Sequence, residues 1–92
     1  MDPIVHNLRA RAADLRRLAT ELDTAPLRSL RSMAGTDTWV CDAADAYRER
    51  LVEFEHDLDR AAADLRDQAL LLERRADARE ADLIAAAAEV VP

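Results

Sequence analysis

Leu51, Leu58, Leu65 and Leu72 stand seven residues apart. An apolar residue repeated at that interval draws a continuous stripe along a helix and has coiled-coil spacing. Ala44, Tyr47, Phe54 and Ala61 fill the intermediate positions, so the stripe advances in alternating steps of three and four. Such a helix must lay its stripe against another helix, and this excludes most other folds. The repeat fades where Arg79 takes the next seventh position, while Leu83 and "IAAAAEVV" keep a helix-forming composition to Pro92. The spacing predicts a helix over about 42–88. Asp42 is placed to cap it, and Asp45 adds a carboxylate near the positive end of the helix dipole.

A second stripe lies upstream. Ile4, Leu8, Leu15, Leu18 and Leu22 recur in helical steps, and Ala12 and Ala19 widen the face. Asp2-Pro3 is a helix start, because Asp caps free amides and Pro is tolerated at the first helical position. Pro26 lacks an amide donor and clashes with the preceding turn, so a kink is expected near residues 22–26. Leu27, Leu30 and Met33 or Ala34 restart the stripe, and Gly35 is placed to stop it. The expected first helix covers about 3–34, with a turn over about 35–41.

A break this short makes the helices antiparallel neighbours. A first helix of about 30 residues spans about 45 Å and a second of about 45 residues about 68 Å. The second helix therefore overhangs, and the tail after about Glu80 has no partner within the chain. The expectation is one all-α domain over 1–92, an antiparallel helix-turn-helix hairpin. "AADLRRLA" (12–19) and "AADLRDQA" (62–69) look alike, which reads as convergent helical composition more than a true repeat.

A chain of 92 residues buries a modest core and tends to need a staple. Cys41 is the only cysteine, so no disulfide forms within the chain. His6 and His56 are far apart with no Cys/His cluster beside them, so no metal or other cofactor is expected. Pairing with another chain remains. Leu70, Leu71 and Leu72 cannot all face one helix, since successive residues lie about 100° apart. A second hairpin would cover them and complete a four-helix bundle. Its expected core or dimer contacts are Leu8, Leu15, Leu18, Leu22, Tyr47, Leu51, Phe54, Leu58, Leu65 and Leu72.

Composition narrows the function. A net charge of -6 disfavours nucleic acid, which selects basic faces. No apolar run approaches the roughly 20 residues of a membrane span. The N-terminus carries no basic segment followed by an apolar one, so the chain is expected to be made in the cytoplasm and, if exported, to leave without a cleaved leader. Every basic residue is Arg, a codon-usage sign of a GC-rich genome such as an actinobacterial one. No nucleophile is paired with a base and no Gly-rich phosphate loop is present, so an enzyme is not expected. Small all-helical enzymes that hold a dianion between helices use Arg and Lys, and this chain has no Lys.

The residues at the break carry a resemblance. "TWVC" at the expected turn, followed by "DAADAYRERL", resembles the WXG100 (ESX-type) family of type VII secretion proteins, whose members are helical hairpins with Trp-x-Gly at the turn and an Ala-Ala-x-Ala-aromatic start to the second helix. Trp39 takes the Trp position, and Ala43, Ala44, Ala46 and Tyr47 match that helix start. The likeness covers the length, the hairpin plan and the midpoint turn. It departs at Cys41, which replaces Gly, and in lacking Tyr-x-x-x-Asp/Glu after the second helix: the only Tyr is Tyr47, and four residues on is Leu51. The resemblance implies a secreted subunit or escort that pairs with itself or a related hairpin and meets a secretion component or a larger effector. Trp39, Val40 and Cys41 would form the turn and recognition site. Trp39 equally suits a plug at the bundle end, since its ring packs while its N–H remains available. Cys41 has no activating base beside it and reads as a passive turn residue. The rival reading is a cytosolic coiled-coil adaptor, which explains the heptads but not a Trp at the turn.

Overall fold

The computed structural model describes residues 2–26 and 42–90. The first helix, α1, runs Pro3–Asp23. Asp2 caps it in an extended conformation, its carboxylate accepting from the Val5 N–H at 3.0 Å, and its carbonyl accepts from the His6 N–H. Pro3 follows at the first helical position, as the Asp-Pro pair predicts. The helix ends short of the expected stop at 34. Thr24 closes the last turn, its N–H and hydroxyl both donating to the Thr20 carbonyl, just ahead of Pro26. The expected kink site is thus where α1 ends. The continuation to 34 and the turn over 35–41 lie outside the described residues.

The second helix, α2, runs Asp42–Val90 without a break. The two helices pack antiparallel: Arg9 meets Asp77 and Glu80, Arg16 meets Glu73, and Asp23 meets Arg66. The fold is an all-helical hairpin 79 Å long and only 15 by 13 Å in section. α1 lies beside roughly the stretch of α2 that ends at Arg79 and Glu80. Residues 81–89 of α2 are all exposed, in line with the expected overhang.

The line of contact is made of alanine. The buried residues among those described are Val5, Ala12 and Ala19 on α1, and Leu51, Ala62, Ala69 and Ala76 on α2. Val5, Ala12 and Ala19 repeat at seven, as do Ala62, Ala69 and Ala76. A methyl side chain lets two helix axes approach closely, so the seam buries little area per residue but packs backbone against backbone. The leucines expected at its centre stand to one side, three residues after Val5, Ala12, Ala19, Ala62 and Ala69, with Leu58 one heptad before Leu65. Leu8, Leu15, Leu22, Leu58, Leu65 and Leu72 are half-buried there, and only Leu51 is fully covered. The likeness of "AADLRRLA" and "AADLRDQA" follows from this plan. Each fragment opens and closes on a seam alanine and carries Leu and Arg at the same two positions between them.

Candidate interaction surface

Each edge of the seam has its own chemistry. On one edge, four residues after the seam positions, both helices are charged: Arg9, Arg16 and Asp23 on α1, and Arg66, Glu73 and Glu80 on α2. Arg9 Nη1 donates to Glu80 Oε2 at 3.1 Å and its Nη2 to Asp77 Oδ1 at 3.3 Å. Arg16 holds Glu73 with two hydrogen bonds, at 3.3 and 2.5 Å. Arg66 donates to Asp23. At the end of the hairpin Arg79, which follows Leu72 in the leucine row, donates its Nε to Asp2 Oδ2 at 2.8 Å, so the carboxylate that caps α1 also ties it to α2.

These contacts shift the ionisations. The Arg16 guanidinium holds the Glu73 carboxyl below its ordinary range, and Arg79 does the same for Asp2, helped by the Val5 N–H. In return Arg9, Arg16 and Arg79 are held more firmly protonated. All these groups touch water, so each pair adds little stability and is weakened by salt. Their geometry is selective even where their energy is small.

The opposite edge is apolar and open. The half-buried leucines form its floor, and Leu18 and Ile4 stand beside them on α1, 47% and 48% exposed. Tyr47 and Phe54 continue the face on α2 and are also exposed. Near its middle lies an open groove of about 450 Å³ floored by Leu15, Leu71 and Leu72 and rimmed by Arg11, Asp14, Gln68 and Arg75. Leu71 is 55% exposed there, whereas Leu70, 41% exposed, lies toward the charged edge, seven residues before Asp77.

Of the residues expected to form core or dimer contacts, Leu51 is buried. Leu8, Leu15, Leu22, Leu58, Leu65 and Leu72 are half-buried, and Leu18, Tyr47 and Phe54 are exposed. All fall on or beside the apolar edge. Trp39, Val40 and Cys41 lie outside the described residues. Ala12 and Ala19 were read as widening the α1 face, while the α2 seam alanines, Ala62, Ala69 and Ala76, and the groove rim were missed. The seam was there to be found in the alanines at 62, 69 and 76, a heptad as strict as that of the leucines.

Among the described residues no helix is long and apolar enough to cross a membrane, and no cluster of His, Cys, Asp and Glu could hold a metal. No protein-family model matches the chain, and no curated protein or solved structure matches it.

Proposed function

We propose that the chain is a binding protein whose apolar edge docks a second helical hairpin, its own copy or a related one, to form a four-helix bundle. We further propose that it serves, like the WXG100 proteins its turn resembles, as a subunit or escort in type VII secretion. The observation that carries the binding reading is the open leucine edge. Along it Leu18, Tyr47, Phe54 and Leu71 stand between 43% and 55% exposed, and an interface of standard size covers about 800 Å² on each partner. The secretion reading rests on the Trp39 motif and the hairpin plan together.

Light scattering of the purified chain, alone and mixed with a small helical protein encoded beside it, tests the binding reading. An assembly is expected, and a folded monomer in both samples would overturn it. Trp39→Ala tests the secretion reading. It should leave helicity in place and reduce export or partner recognition; a loss of stability alone makes Trp39 a structural plug. The heptad seam also favours a coiled-coil adaptor. Retention in the cytosol of cells with an active type VII system would select that reading.

A further inference from the structure

The alanine seam has a property that the hairpin must overcome. Its period is seven on both helices, so moving α1 by one heptad toward the start of α2 again sets Val5 and Ala12 against alanine, while Ala19 exchanges Ala69 for Glu55. In the observed register Ala12 stands between the levels of Ala69 and Ala76. One heptad nearer the start of α2 it would stand between Ala62 and Ala69. The leucine edge is equally tolerant: Leu8, now level with Leu72 and Arg79, would gain Leu65 in place of the arginine. Apolar packing therefore separates the two arrangements only at the level of Ala19, as expected where a repeat is regular.

We propose that the charged edge is a register lock, and that the hairpin has a second, slipped register one heptad away which this edge excludes. In the observed register the edge makes three attractive pairs seven residues apart: Arg9 with Glu80, Arg16 with Glu73, and Asp23 with Arg66. The slipped register keeps one attraction, Arg9 with Glu73. It sets Arg16 against Arg66, Asp23 against Asp59 and Asp2 against Glu80. Like charges held at close range select against an arrangement even when the attractive pairs contribute little. A slip in the other direction keeps one attraction, Arg16 with Glu80, but meets Asp23 against Glu73 and leaves Arg9 facing Ala87. The lock matters because a slip of seven residues moves the helices about 10 Å along each other. That changes the length of the α2 overhang and the spacing of the apolar edge offered to any partner. The lock is independent of the secretion reading.

The test reverses the lock on one helix. The triple variant Asp59→Arg, Arg66→Glu, Glu80→Arg makes all four slipped pairs attractive. In the observed register the same changes set two arginines face to face at the Arg9 level and two carboxylates face to face at the Asp23 level. A control, Glu53→Arg, Arg60→Glu, Asp67→Arg, makes the same three charge reversals on the outward face of α2, where all three residues are exposed. Spin labels on Ala13→Cys and His56→Cys, in a Cys41→Ser chain, report the axial offset by electron–electron distance. The triple variant should show a distance shortened by up to about 10 Å, while the parent and the control keep the long one. A triple variant that keeps the parental distance overturns the lock. If the triple variant loses helicity, Arg9→Asp, Asp23→Arg and Asp77→Arg are added, which makes the observed register attractive again, since Asp77 also faces Arg9. Recovery of helicity with the parental distance supports the lock, and failure to recover overturns it.

Discussion

Ala69 is completely buried at the middle of the seam, and enlarging it tests whether the interface is as close as its alanines imply. Ala69→Leu adds three carbons on the line between the helix axes. If there were room, burying them would add roughly 2 kcal/mol of stability at about 0.8 kcal/mol per carbon. In a close-packed seam there is no room, and the added carbons force the helices apart or into strained rotamers. Overpacking of this kind costs about 1–3 kcal/mol. The sign of the change is therefore the result. Urea unfolding followed by far-ultraviolet circular dichroism, at two protein concentrations to separate folding from association, should show a lower midpoint at unchanged slope. For a chain this short the melting temperature should fall by about 4–8 °C per kcal/mol lost. Ala63→Leu, one residue outside the seam and exposed, is the control; only a few tenths of a kcal/mol of helix propensity is at stake there. A rise in midpoint for Ala69→Leu would refute the alanine seam and restore the leucines to the centre of the hairpin.

The carboxyls of Asp2 and Glu73 titrate below their ordinary values of 3.8 and 4.5 in the folded chain. Their contribution is thus present above those values and is lost as the pH falls below them and through the folded ones. Helicity of the parent should drop along an acid limb that Asp2→Asn with Glu73→Gln flattens; parallel curves would show that other groups govern it. Leu71→Asp, at a residue 55% exposed, should change hairpin stability by no more than about 0.5 kcal/mol. It should nonetheless abolish the assembly seen by light scattering, whereas Arg74→Glu, also exposed, should not.

The helices and their antiparallel order were legible in periodicity and in Asp2-Pro3, because these depend on local chemistry. The line of contact was not. Hydrophobicity points to the broad Leu, Tyr and Phe stripe, whose centre lies about 60° round α2 from the seam, at about 100° per residue. Alanine wins the seam because closeness of approach, not side-chain area, decides where two helices touch when each offers a row of methyl groups. The stripe instead divides its leucines between the partner helix and the outside. The role of that outer half was readable from Leu70, Leu71 and Leu72, which no single neighbour can cover. The charged edge was not readable, since exposed Arg and Asp look like a solvated face until the register sets Arg16 beside Glu73. α1 closes at Asp23, with Thr24 turning back onto Thr20 just ahead of Pro26.

The thinness of the hairpin has a consequence for how such a chain changes over generations. Only seven described residues are buried, and five of them are alanine. Most other positions touch solvent on a helix, where substitutions are usually nearly neutral. Selection for folding alone therefore constrains little beyond a row of small residues, and a lineage built on this plan can exchange most of its letters while keeping its shape. Whatever remains unchanged in such a lineage outside the seam is held there by something other than folding.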